Sequence, residues 1–125
     1  MGLDMYANSV EKGIELEGDF GFSLEDTDAV EIKYWRKFNN LHGWMEELYN
    51  QKGGTGDFNC VNLKLTLEDL ERLKLEAPSL QPTEGFFFGS QNPMEPEDVE
   101  DVVAFCDEAI KEIEEGNTIV YSAWY

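Results

Sequence analysis

Residues 32–51 read IKYWRKFNNLHGWMEELYNQ. Tyr34, Phe38, Leu41, Met45 and Leu48 recur at alternating steps of four and three, so the spacing predicts one amphipathic helix across the whole stretch. The pair Gly53-Gly54 follows it as a left-handed exit. The same twenty residues hold Trp35, Trp44, the single histidine His42 and three close cations, Lys33, Arg36 and Lys37. The element expected to organise the core is therefore also an expected binding surface.

Outward from this stretch the chain alternates irregularly between strand and helix signals. Residues 1–7 place Leu3, Met5 and Ala7 on one face of a short strand, and residues 11–26 read as an irregular strand and turn region. Asp26-Thr27-Asp28 supplies helix-start chemistry ahead of residue 32. Residues 58–65, FNCVNLKL, read as a strand. Thr66 then caps a second helix with Leu67, Leu70 and Leu73 as its buried stripe, ended by Pro78. Pro96 opens a third helix that runs to about Glu115, and Gly116 stops it. Its apolar face is Val99, Val102, Val103, Cys106, Ile110 and Ile113. Residues 118–125, TIVYSAWY, form a β-branched and aromatic terminal strand. Three helices and several strands without regular alternation give an α+β class: one domain over residues 1–125, with a small, mainly antiparallel sheet carrying about three helices.

The chain has 125 residues, enough for one ordinary core. No apolar run is long enough to span a membrane, and residues 1–4 carry neither a secretory leader nor, with Tyr6 in place of Ser or Thr, a myristoylation signal. Cys60 in a strand and Cys106 on an apolar helix face read as two buried thiols of a cytoplasmic protein. One histidine and two dispersed cysteines make no zinc set, so no metal or other cofactor is expected. The net charge of −18 repels phosphates and disfavours direct binding to nucleic acid.

That charge is unevenly distributed. Residues 95–115 hold ten acids and one base, Lys111, which is half of the net charge. Opposite the apolar face, Glu97, Asp101, Glu108, Glu112 and Glu115 share one stripe, with Glu100, Asp107 and Glu114 beside it. The like-charged pairs Glu97/Asp101 and Glu108/Glu112 each cost about 0.2–0.5 kcal/mol in an isolated helix. Acids at the end of the helix also oppose its dipole, so local stability does not explain the pattern. A solvated face, docking onto a basic protein surface, and adaptation to high salt all account for it.

The second candidate surface is the cationic and aromatic cluster. On a helix, Arg36 and Lys37 with Trp35 and Asn40 would hold a small anionic ligand, nucleotide-like in kind. His42, Trp44 and the run Phe86-Phe87-Phe88 would add to it. The alternative is structural: Trp35, His42 and Met45 in the core, and Phe86–Phe88 as a short buried strand. His42 has no partner fixed by spacing, so no catalytic residue is assigned. Gly53-Gly54-Thr55-Gly56 lacks the Lys-Ser/Thr of a phosphate loop and reads as a linker.

Four blocks in order carry a resemblance. They are the opening MGLDMY, the run Tyr34-Trp35-Arg36-Lys37 with Asn40, Leu41, His42 and Trp44, the stretch PTEGFFFG of residues 82–89, and the closing Tyr121-Ser122-Ala123-Trp124. Together they resemble a group of small uncharacterised proteins typical of bacteriophage and prophage genomes. The resemblance implies a phage accessory protein of the host cytoplasm that binds a host factor or sequesters a small molecule, and it brings no catalytic residues. With the charge, it gives two expectations. The first is inhibition of a host protein with a basic surface, such as a nucleic-acid-handling defence complex, through the acidic helix. The second is small-ligand binding at the cationic cluster.

Overall fold

The computed structural model describes residues 3–11, 16, 18–24, 27–80 and 94–125. The elements are β1 (Asp4–Val10), β2 (Val30–Arg36), α1 (Asn39–Gln51), β3 (Leu63–Leu65), α2 (Leu67–Glu76), α3 (Pro96–Glu114) and β4 (Thr118–Trp124), with a 3-10 turn at Ala77–Ser79. The four strands form one antiparallel sheet in the order β2-β1-β4-β3. This is a small α+β fold.

Strand register sorts the side chains into two faces. Met5 pairs with Trp35 on one side and Ala123 on the other, and Ala7 pairs with Lys33 and Tyr121. All of these point toward the helices. Met5, Ala7, Tyr121 and Ala123 are buried there with Leu41, Met45, Leu70, Leu73, Val102 and Phe105. The neighbouring row, Arg36–Asp4–Trp124 and Tyr34–Tyr6–Ser122, faces the other way. On that face Trp124 is 62% exposed.

The main correction concerns residues 32–51. Val30–Arg36 is strand and only Asn39–Gln51 is helix. Residues 30–36, VEIKYWR, are rich in β-branched and aromatic side chains, and β1 offers them a partner. The apparent step from Tyr34 to Phe38 therefore crosses an element boundary. Lys37, at φ 56°, makes the turn. The helix-start expectation at residues 26–28 also fails where it is described. The Thr27 hydroxyl donates to the Leu24 carbonyl (2.7 Å), and Asp28 precedes a strand.

Other boundaries shift as well. β1 begins and ends three residues later than residues 1–7. Of residues 58–65 only the last three are strand, because FNCVN satisfies its backbone locally and through the end of the chain. Asn59 N–H donates to Asp57 Oδ1 (3.0 Å), Cys60 N–H to the Ala123 carbonyl (2.8 Å), and Asn59 Oδ1 accepts from Tyr125 N–H (2.9 Å). Cys60 sits at φ 64° and is exposed, so only Cys106 is a buried thiol. Burial pushes the Cys106 thiol up to about 12. Leu67 is 38% exposed, which leaves Leu70 and Leu73 as the buried pair on α2.

The two other helices follow their sequence signals. Thr66 Oγ1 accepts from Asp69 N–H and Asp69 accepts from Thr66 N–H, a capping box. Pro96 stands in the first turn of α3, and Gly116 at φ 99° lets Gly116 and Asn117 N–H return to the Ile113 and Glu112 carbonyls.

Asp69 also joins three elements. Lys52, just beyond α1, donates to Asp69 Oδ2 and to the Lys64 carbonyl, both at 2.7 Å, with only 12% of the Lys52 side chain exposed. Burial pushes the Asp69 carboxyl up, but hydrogen bonds from Lys52 and Thr66 outweigh it and hold the group below its ordinary range. Lys52→Met leaves this half-buried carboxylate without its counter-charge. The variant is expected to lose about 3 kcal/mol in urea unfolding at neutral pH; a loss below about 1 kcal/mol would show that water replaces the pair.

Candidate functional site

The eight acids expected on one surface divide into two sets on α3. Three of them fasten the helix to the rest of the fold. Asp101 accepts from the Trp35 indole N–H (2.8 Å) and pairs with Lys33 on β2. Asp107 pairs with Lys74 of α2 at 2.6 Å. Glu112 accepts from the Ser9 hydroxyl of β1 (2.7 Å) and from Asn117 Nδ2 (3.3 Å).

The other five, Glu97, Glu100, Glu108, Glu114 and Glu115, are exposed. None forms an ion pair among the described residues. Lys111, the one cation of α3, forms none either. These carboxylates extend along a helix of 19 residues, or about 27 Å. Two of them, Glu114 and Glu115, lie against the negative end of the helix dipole. The result is an outward strip of negative charge that forms no ion pair among the described residues, with Lys111 as the one cation on the same helix.

The cationic cluster is arranged by a strand, a turn and a helix. A groove of about 290 Å³ is lined by Trp35, Arg36, Lys37, Phe38, Asn39 and Asn40, closed on the far side by Asp98 and Asp101 of α3. It therefore gathers Trp35, Arg36, Lys37 and Asn40. Trp35 is only 6% exposed, edge-on to Phe105 and tied to Asp101. The alternation of β2 turns the Arg36 side chain toward Asp4 on the opposite sheet face, at 4.0 Å. Lys37 is exposed and forms no ion pair among the described residues. Asn40 Nδ2 donates to the Leu80 carbonyl (3.2 Å), so it also anchors the end of the 3-10 turn.

His42 and Trp44 lie outside this groove. His42 is fully buried, with Nδ1 sharing a 2.7 Å hydrogen bond with the Tyr121 hydroxyl. Its ring stacks on Phe58 and meets Tyr125 edge-on. Trp44, 8% exposed, donates from its indole N–H to Glu76 (3.2 Å). His42 is thus a core residue, as the structural alternative expected. Phe86, Phe87 and Phe88 lie outside the described residues. Two participants were not anticipated: Asp98 in the groove wall, and Glu76 against Trp44. Asp98 sits at the i+3 position of a cap, accepting from Glu95 N–H (3.1 Å), which is a signal available in the sequence.

Comparison with protein-family models, curated proteins and solved structures finds no match. Among the described residues no three His, Cys, Asp or Glu side chains are grouped to hold a metal ion, and no helix is long and apolar enough to cross a membrane.

His42 gives a measurable pH signature. Burial lowers it to about 4, whereas an unfolded histidine titrates near 6.5. As pH falls below about 6.5 the unfolded chain takes up a proton that the folded chain refuses, so stability declines until about pH 4. The loss is about 3 kcal/mol. His42→Gln is expected to remove that share of the acid-side decline, measured as the difference between wild type and variant in urea unfolding at pH 7 and pH 4. Equal declines in the two proteins would contradict the buried neutral imidazole.

Proposed function

We propose that the protein is a phage accessory protein, acting in the host cytoplasm without catalysis. It binds and inhibits a host protein that presents a basic surface, a nucleic-acid-handling defence complex being the kind of target it fits. The observation that carries this reading is the set of five exposed α3 carboxylates without cationic partners, displayed on a helix whose other acids hold it in place. A basic surface supplies the missing counter-charge, and the excess negative field speeds encounter at low salt. The same field disfavours direct contact with nucleic acid.

The groove at the β2–α1 turn supports a second reading, a small anionic ligand. It is favoured by one observation, that Lys37, which forms no ion pair among the described residues, lines a common space with Trp35 and Asn40. At about 290 Å³ that space is at the lower limit of ordinary ligand sites, so it suits a phosphate or one nucleotide rather than anything larger. A thermal-shift screen with nucleotides tests it, the Lys37→Ala variant serving as control.

The docking reading is tested by capture from host lysate and by binding kinetics against the captured protein. Reversal of Glu108, Glu114 and Glu115 to lysine is expected to weaken binding at least about tenfold, chiefly through slower association. Raising the salt from about 0.05 M to about 0.5 M should have a similar effect on the wild type. Binding indifferent to both changes would exclude an acidic docking surface.

A further inference from the structure

The groove at the β2–α1 turn is lined by charges of both signs, and most of them are cancelled within the fold. Asp101 pairs with Lys33 and accepts from the Trp35 indole N–H. Arg36 turns to Asp4 on the other sheet face. Two charges remain in the lining. Lys37 stands just ahead of α1, whose first turn has no acid of its own, and is exposed. Asp98, half-buried on the α3 wall, accepts from Glu95 N–H through Oδ2. Neither forms an ion pair among the described residues. Opposite charges therefore border one space of about 290 Å³ without pairing across it. The buried side chains of Asn39 and Asn40 complete a polar lining, and Trp35 and Phe38 supply its apolar part.

This pair of charges selects the ligand. A plain anion attracted by Lys37 is repelled by Asp98, and a plain cation meets the reverse. A molecule with one charge of each sign satisfies both walls. We propose that the groove takes a small zwitterion, a free amino acid. Its carboxylate accepts from the Lys37 ammonium, and its ammonium donates to the Asp98 carboxylate, so each end makes a charge-assisted hydrogen bond. Asp98 keeps its place at the start of α3, because one oxygen serves Glu95 N–H and the other is left for the ligand. A volume of about 290 Å³, at the lower limit of small-molecule sites, suits a molecule of this size. The inference rests on the reading of this groove as a ligand site, and it changes the ligand from an anion to a zwitterion.

The test is a titration of the full chain, read by NMR at the Trp35 indole N–H. The probes are leucine, isopentylamine, which is leucine without its carboxylate, isocaproate, which is leucine without its ammonium, and AMP as a phosphate-bearing anion. Leucine is expected to shift the signal saturably, and each half-molecule to bind at least about tenfold more weakly, the loss of one charge-assisted bond. Asp98→Asn keeps an acceptor for the Glu95 N–H and so preserves the start of α3. It should weaken leucine about tenfold and leave isocaproate unchanged. Lys37→Met alters an exposed side chain; it should weaken leucine and leave isopentylamine unchanged. Isocaproate or AMP binding as tightly as leucine, or leucine binding equally to Asp98→Asn, overturns the zwitterion while leaving the groove as an anion site. No response at Trp35 to any of the four probes overturns both readings of the groove.

Discussion

The carboxylate of Asp101 is where the acidic helix and the sheet are joined. One oxygen accepts the Trp35 indole N–H and the other pairs with Lys33, two side chains on the same face of β2. That contact holds α3 over the sheet, sets Phe105 against Trp35, and forms one wall of the groove at the β2–α1 turn. Asp107 and Glu112 extend the same arrangement to α2 and β1. The helix packs through its apolar face of Val102, Phe105, Cys106 and Ala109, and three of its carboxylates find partners at the rim of that contact. The others are left for solvent or for another molecule.

The two helices with complete end signals were legible in the sequence. Thr66 with Asp69, and Pro96 with Gly116, specify α2 and α3 nearly to the residue, because capping is local chemistry. Residues 32–51 were not legible as they fold. Their helical spacing is genuine from Leu41 onward, but residues 30–36 are strand because β1 lies alongside them, and pairing between distant segments leaves no local mark. The same holds for residues 58–62, where the backbone partners include Ala123 and Tyr125 at the far end of the chain.

The candidate site was partly legible for the same reason. A run of acids is visible in any sequence, but its division into anchoring and outward groups depends on Lys33, Trp35, Lys74 and Ser9, all on other elements. Arg36 illustrates the opposite error. On a helix it would lie beside Asn40, whereas strand alternation sends its side chain toward Asp4 on the other face. His42 appeared as a lone polar residue near an apolar stripe. Burial among Phe58, Tyr121 and Tyr125 makes it part of an aromatic core layer.

The central claim is that α3 carries two kinds of carboxylate, one holding the fold and one displayed. Urea unfolding of two amide variants tests it most directly. Asp101→Asn should lose about 1–2 kcal/mol, because the charge-assisted bonds to Lys33 and Trp35 weaken. Glu108→Gln combined with Glu115→Gln should be neutral or stabilising by a few tenths of a kcal/mol, since repulsion and an opposed dipole are relieved. A loss of about 1 kcal/mol or more in the double variant, with Asp101→Asn unaffected, would contradict the division on which the docking surface depends.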